Sequence, residues 1–115
     1  MKWVKKGLIF KAADEFGWIK SHAQIPTVLV LDDCLRVYFS PRPEKGRSCI
    51  AMMDLDRNNP SKILKLYDKP VLDIGNPGDF DEHGIMPSCA YKENDDVYLF
   101  YGGWSRRCAI PCSNW

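Results

Sequence analysis

The stretch that decides the fold is IPTVLVLDDCLRVYFS, residues 25–40. Its first half, residues 25–31, is rich in β-branched side chains, and residues 35–40 form a second run of strand-forming residues. Between the two runs, Asp32 and Asp33 are of a residue type that favours turns. Two strand-forming runs joined by so short a polar turn predict a β-hairpin.

Beyond this hairpin the chain alternates strand-forming runs with turns marked by Pro, Gly, Asn and Asp. The first set of strands is completed by a loop at 41–46, a third strand at 47–54, a turn at 56–61 and a shorter fourth strand at 63–67. After a long polar loop at 73–84, a second set has strands at 85–92 and 97–101, a turn at 93–96 between them, and the start of a third strand at 107–110. The sequence therefore predicts an all-β protein.

The two sets of strands repeat along the chain. A shift of 60 positions pairs Val37 with Val97, Tyr38 with Tyr98, Arg47 with Arg107 and Ile50 with Ile110, and Pro26 matches Pro87 within one residue. A repeat of this length, built from four short antiparallel strands, is typical of a β-propeller blade; two unrelated hairpins in a small sandwich are the alternative. We predict two consecutive four-stranded antiparallel propeller-type blades in one partial domain, residues 1–115, with blade 1 at about 20–72 and an incomplete blade 2 at about 84–115.

Two blades do not close a ring, because a propeller has about four to eight of them. An open array leaves strand edges and apolar blade faces exposed, and these favour pairing with another chain. We therefore expect a homo-oligomer that forms through open strand edges.

Composition and charge exclude several classes of protein. With 45% hydrophobic and 27% charged residues, the chain has the composition of a globular protein rather than a disordered one. Lys and Arg total 16 against 15 Asp and Glu, so the net charge of +1 gives no reason to expect nucleic acid or a membrane as a partner. The apolar runs are too short to cross a bilayer, and the N-terminus lacks a signal-peptide pattern, so we expect a cytoplasmic location.

The cysteines argue against both a disulfide framework and a metal site. Their number is odd, their spacing is irregular and no C-x-x-C pair occurs. Three of the five lie in predicted strands, where a cysteine behaves as a small buried hydrophobic residue. We expect structural thiols, no metal and no cofactor.

Three further motifs carry a resemblance to a known family: RVYFSPR…GRS (36–48), KPVLDIG…GDFDEHGIMPS (69–88) and YLFYGGWSRR (98–107). The chain resembles the opening blades of five-bladed β-propeller glycosidase-like proteins, which belong with the arabinanase, xylosidase and invertase-type glycoside hydrolases. Among these it is similar to the predicted glycosidases encoded beside bacterial surface-polysaccharide genes. Such proteins run to about 300 residues at roughly 60 per blade. The resemblance therefore implies a truncated product or a fragment that holds the first two blades.

Glycoside hydrolysis needs two carboxylates, and the resemblance places them on different blades. The first is expected near residues 21–27, where the sequence SHAQIPT has His22 and Gln24 but no acidic residue, and Gln24 cannot act as a base. Asp81 best matches the family's FD…GI position and is the catalytic candidate, whereas the acid Glu is expected beyond residue 115. The sequence thus holds at most half of a catalytic pair.

Several side chains are candidates for contact with a sugar. Arginines near strand ends are suited to clamping a hydroxyl-rich or anionic sugar, and an exposed indole is suited to stacking on a pyranose ring. Solvated surface charge, a turn-capping carboxylate and a core aromatic are the alternatives for individual residues. The predicted set is His22, Gln24, Arg42, Asp79, His83, Trp104 and Arg106.

Two functions follow from these expectations. The favoured one is a non-catalytic, self-associating fragment of a glycoside-hydrolase-like propeller that binds carbohydrate. The alternative is a glycosidase acting on a cell-surface-type polysaccharide, with an active site that oligomerisation completes around Asp81.

Overall fold

The computed structural model describes residues 1–44 and 46–106. The regular elements of this part of the chain are β1 (Ser21–Val30), β2 (Leu35–Arg42), β3 (Ala51–Leu55), β4 (Ile63–Leu66), β5 (Gly84–Glu93) and β6 (Asp96–Trp104). The prediction of an all-β protein is confirmed. None of the described residues belongs to a helix long and apolar enough to cross a membrane.

The strands form two antiparallel groups. Strands β1 to β4 pair with their neighbours in chain order and make a four-stranded sheet, the first sheet, while β5 and β6 pair as a separate hairpin, the second hairpin. The predicted hairpin of residues 25–40 is present, with β1 and β2 in continuous register from Thr27↔Tyr38 to Val30↔Leu35. Asp32 and Asp33 lie in the turn between them, as predicted.

Strand ends differ from the prediction where pairing partners override local propensity. β3 begins at Ala51 rather than at residue 47, because Ser48 and Ile50 instead form bridges to Gly84 and Leu72. β6 continues to residue 104 through two glycines, since these still pair with the start of β5. The predicted strand at 107–110 lies outside the described residues.

One face of the first sheet packs against the N-terminal segment, residues 8–19. The side chains on this face alternate along β2 and β3, as the period of a strand requires. They form a buried cluster of Val37, Phe39, Ala51, Met53 and Leu55 with Ile19, against which Phe10 and Trp18 pack. No sequence pattern predicted a role for this segment, which covers the sheet through tertiary contacts.

The opposite face of the first sheet packs against the second hairpin. Tyr38 belongs to a buried cluster with Leu29, Ile50 and Ile85. Ala90 and Leu99, which oppose each other across the hairpin, pack against this cluster. The first sheet therefore lies between the N-terminal segment and the second hairpin.

Two buried serines join the end of β2 to the start of β5. The hydroxyls of Ser40 and Ser48 donate hydrogen bonds of 3.0 and 2.7 Å to the carbonyl oxygen of Ile85. The backbone N–H of Ile85 in turn donates to the carbonyl oxygen of Ser48 at 3.2 Å. This junction places the loop before β5 beside the end of β2, where the candidate site lies.

The described cysteines differ in exposure. Cys34 and Cys49 are buried, as expected for structural thiols, and burial raises the pKa of Cys49 to about 12. Cys89 is exposed on β5. Cys108 and Cys112 lie outside the described residues.

Candidate functional site

Four of the side chains predicted to contact sugar line a single cavity. They come from different elements: β1, the end of β2, the end of β6 and the residues that follow it. The cavity has a volume of about 260 Å³ and is lined by Gln24, Arg42, Gly46, Met86, Trp104 and Arg106. We call it the arginine cavity.

The backbone of β1 is distorted on both sides of Gln24. Its pairing with β2 shifts register between Ser21 and Gln24 and again between Gln24 and Thr27. His22 and Ile25 have positive φ angles of 65° and 51°. A β-branched residue that precedes a proline rarely adopts such a conformation. Bulges next to functional sites re-aim side chains, and here the distorted segment brings Gln24 to the arginine cavity.

The indole of Trp104 lies against the backbone of Gly84. These two residues oppose each other across the β5–β6 ladder. A Cβ atom on Gly84 would overlap the Trp104 ring. The absence of a side chain at this position therefore lets the flat face of the indole approach the neighbouring strand and line the cavity.

The two arginines of the cavity retain hydrogen-bond donors for a ligand. Nε of Arg42 is buried and has no acceptor among the described residues. Nη2 of Arg106 donates to the carbonyl oxygen of Gly46 over a long 3.4 Å. Gly46 has a φ of +76°, and a Cβ there would overlap the Arg106 guanidinium, so only glycine fits this approach.

His83 lies beside the arginine cavity and lines a second one. This histidine cavity has a volume of about 310 Å³ and is lined by Arg47, Ile74, Gly75, Pro77, Glu82 and His83. The backbone N–H of Arg106 donates to Nδ1 of His83 at 3.0 Å, which assigns the ring hydrogen of the neutral imidazole to Nε2. Nδ1 also lies 3.5 Å from Oε1 of Glu82. Because Nδ1 already accepts a hydrogen bond, we interpret this second contact as proximity rather than as an ion pair.

The carboxylate of Glu82 also lines the histidine cavity, and Glu82 was not among the predicted site residues. It is only 7% exposed. Its Oε2 accepts a hydrogen bond from the backbone N–H of Gly78 at 2.7 Å, and its Oε1 accepts one from the Ser105 hydroxyl at 2.6 Å. These bonds tie the loop before β5 to the end of β6. Met86 in the arginine cavity was likewise outside the predicted set. Arg47, which also lines the histidine cavity, is one of the arginines near predicted strand ends that are suited to clamping a sugar.

The catalytic candidate Asp81 is buried, 7% exposed, and is not among the side chains that line either cavity. Its Oδ2 accepts a weak, 3.5 Å hydrogen bond from the Tyr101 hydroxyl. Asp81 packs so closely on Gly75 that a Cβ there would overlap Oδ1. Asp79 is exposed and caps its own turn by accepting a 2.8 Å hydrogen bond from the backbone N–H of Asn76.

His22 is separated from Gln24 although the two are near neighbours in the sequence. It lines a different cavity, together with Phe10, Lys11 and Lys20. Its Nδ1 lies 2.8 Å from the hydroxyl of Ser21. The structure thus brings Gln24, Arg42, Trp104 and Arg106 together, places His83 next to them, and leaves His22, Asp79 and Asp81 apart.

Comparison with known proteins identifies relatives of undetermined function. The chain is 34% identical over 115 residues to an uncharacterised protein found in two strains of Mycobacterium tuberculosis. The alignment covers 99% of this chain but only 38% of each relative, so the chain spans well under half the length of the curated relatives it matches. No family model matches the chain, and no solved structure matches it.

Proposed function

We propose that the chain forms the first part of a glycosidase-like β-propeller and binds carbohydrate in the arginine cavity without hydrolysing it. The observation that carries this proposal is the convergence of Gln24, Arg42, Trp104 and Arg106 on one cavity. Sugars are bound by aromatic faces that cover their C–H groups and by planar polar groups that pair with their hydroxyls. The cavity supplies an indole, an amide and two guanidinium groups.

The way the two strand groups pack supports the propeller arrangement over a sandwich. Phe39 and Tyr38 lie on opposite faces of the first sheet, and Tyr38 faces the second hairpin. Leu99, which follows Phe39 by 60 positions, packs against the Tyr38 cluster, while Tyr98, which follows Tyr38 by 60 positions, is 43% exposed. At the contact between the two strand groups, the first sheet thus presents its Tyr38 face, whereas the second hairpin presents the opposite face, that of Leu99. Such head-to-tail contacts can repeat around a ring.

The length of the relatives also supports this arrangement. Because 115 aligned residues amount to 38% of each relative, each relative has about 300 residues. That length accommodates about five repeats of the spacing that separates the two hairpins of this chain.

The chemistry of the arginine cavity favours binding over hydrolysis. A glycosidase needs two carboxyl groups about 5 to 9.5 Å apart on either side of the scissile bond. None of the described residues that line the arginine cavity is acidic. Asp81 lies outside it, and the carboxylate of Glu82 is occupied by two short hydrogen bonds. The cavity therefore lacks the groups that would protonate a leaving oxygen or activate water.

Self-association is the second part of the proposal. The outward side of the second hairpin carries the stacked rings of Tyr91, Tyr98 and Phe100, which we call the outer aromatic face. By the 60-residue repeat this face corresponds to the Tyr38 face of the first sheet, which is buried by the next unit. We expect a second copy of the chain to cover the outer aromatic face. The surface of the second copy that contacts this face would be the apolar cavity of about 450 Å³ whose lining includes Val28, Val37 and Leu55.

The test is binding of the full chain to an array of neutral and acidic bacterial surface-polysaccharide fragments. We expect binding that Trp104→Ala weakens about tenfold, because the variant removes the stacking surface. Trp3→Ala is the matched control, since Trp3 is 90% exposed and does not line the cavity. Absence of binding to every glycan would contradict the proposal. Hydrolysis of aryl glycosides that Asp81→Asn abolishes would instead support the glycosidase completed by oligomerisation.

A further inference from the structure

We infer that the arginine cavity selects acidic sugars, those that carry a carboxylate or a sulfate or phosphate ester. This inference rests on the proposed carbohydrate binding and names its ligand class. Arg42 and Arg106 both line a cavity of only about 260 Å³, together with Gln24, Trp104 and two uncharged residues. None of the described lining residues offers a negative charge to balance the two guanidinium groups.

The positive charge of this cavity is a local arrangement and does not follow from the overall composition. The whole chain has 16 basic and 15 acidic residues, a net charge of only +1. Of the three other described arginines, Arg57 donates to backbone carbonyl oxygens, whereas Arg36 pairs with Asp54 at 2.9 Å and Arg47 lies 3.9 Å from Glu44. The arginines of the cavity differ from Arg36 and Arg47, because no ion pair with an acidic side chain is found for either among the described residues.

The buried Nε of Arg42 is the second observation that indicates an acceptor ligand. A buried donor without a partner is unfavourable, and in native proteins such a group indicates strain, a functional role or a water or ion that the donor binds. The Nε atom has no acceptor among the described residues, although the residue lines a cavity. The Nε atom itself has almost no accessible surface, so a ligand oxygen reaches it only when the guanidinium turns into the cavity. An anionic oxygen is the best acceptor for the charged guanidinium, because a carboxylate, sulfate or phosphate adds Coulombic attraction and can pair with it bidentately.

The remaining lining residues explain why the ligand is a sugar rather than a free anion. Trp104 offers an aromatic face, which stacks on the C–H face of a pyranose but gains little from sulfate or phosphate alone. Gln24 offers an amide that both donates and accepts, which suits a hydroxyl group. The arginines would hold the acidic substituent while these two groups hold the ring.

The experiment uses the full chain on an array of uronic-acid oligosaccharides, printed beside the same compounds after carboxyl reduction and beside sulfated and phosphorylated sugars. We expect acidic sugars to bind about tenfold more tightly than their reduced counterparts, and less tightly as salt is added. Arg42→Gln and Arg106→Gln should abolish this preference, so that each variant binds acidic and reduced sugars equally within about twofold. Arg57→Gln is the matched control, because Arg57 bonds the carbonyl oxygens of Leu31 and Asp32 and does not line the cavity.

The possible outcomes separate this inference from the proposed function. Equal binding of acidic and reduced sugars, or a preference that survives both arginine variants, would overturn the charge selection but leave carbohydrate binding intact. Binding of no sugar of either kind would overturn both. Inorganic sulfate serves as a soluble competitor: displacement of the sugars by sulfate at equal concentration would identify a simple anion site and overturn the assignment to a sugar.

Discussion

Gly84 and Gly102 both lie in the second hairpin, but only Gly84 has another side chain against it. A Cβ on Gly84 would overlap the Trp104 ring, whereas a Cβ on Gly102 has open space around it. We expect Gly84→Ala to lower the free energy of unfolding by about 1–3 kcal/mol, the usual cost of overpacking. Because the displaced indole would leave the arginine cavity, sugar binding should fall as well. Chemical denaturation and the glycan array measure the two effects.

Gly102→Ala is the control, and it should change both quantities little. Equal losses in the two variants would show that the glycines act through strand propensity rather than through the position of Trp104. Residue types near strand ends marked Arg42, Trp104 and Arg106 as candidates for contact with a sugar, and the family resemblance marked Gln24. The sequence did not predict that these four side chains converge on one cavity, because their convergence depends on the bulges around Gln24. The same bulges separate His22 from Gln24.

At the scale of elements, a cluster of three polar side chains joins three strands of the first sheet. Arg36 on β2 donates to both carboxylate oxygens of Asp54 on β3, at 2.9 and 3.1 Å. Tyr67, just after β4, donates to Oδ2 of Asp54 at 2.7 Å. Burial pushes the pKa of Asp54 upward, but the hydrogen bonds from Arg36 and Tyr67 outweigh it and hold the pKa below its ordinary value.

This cluster should make the stability of the protein depend on acid. Because the pKa of Asp54 is lower in the folded chain than in the unfolded one, its contribution is complete above the unfolded pKa of about 3.9 and is lost as pH falls through the folded value. Asp54→Asn should lower the free energy of unfolding at neutral pH by about 2 kcal/mol and reduce its decline below pH about 4. Urea titrations across pH measure both effects.

The matched control is Asp95→Asn, a carboxylate in the exposed turn between β5 and β6. If the acid sensitivity of the unaltered protein persists unchanged in Asp54→Asn, then other carboxylates control that sensitivity.

Alternating side chains and turn residues predicted every described strand, but they did not predict the cluster of polar side chains between strands. Its formation requires the register that sets Arg36 opposite Asp54, and sequence patterns do not determine the register between β2 and β3.

At the scale of the whole molecule, the two strand groups stack but the stack is open on one side. Leu99 is covered by the first sheet, whereas Tyr91, Tyr98 and Phe100 on the other side of the hairpin are 41%, 43% and 55% exposed. The repeat of 60 residues matches Tyr98 with Tyr38, so the exposed Tyr98 occupies the position of a residue that is buried in the first sheet. It did not predict that the N-terminal segment would cover part of the opposite face of the first sheet, because that segment has no counterpart in the repeat.

If a second copy covers the outer aromatic face, a charge placed there should dissociate the assembly. We expect light scattering to show an oligomer for the unaltered chain and a shift towards monomer for Tyr98→Lys, with the dissociation constant raised at least about tenfold, because the ammonium group would be buried in an apolar contact. Val71→Lys is the control, since Val71 is similarly exposed, at 41%, but lies in the connection that follows β4.

A second variant, Leu64→Pro in the edge strand β4, tests the alternative form of assembly. If Leu64→Pro dissociates the oligomer and Tyr98→Lys has no effect, the chains assemble through strand edges. A strictly monomeric unaltered chain would contradict both forms of self-association.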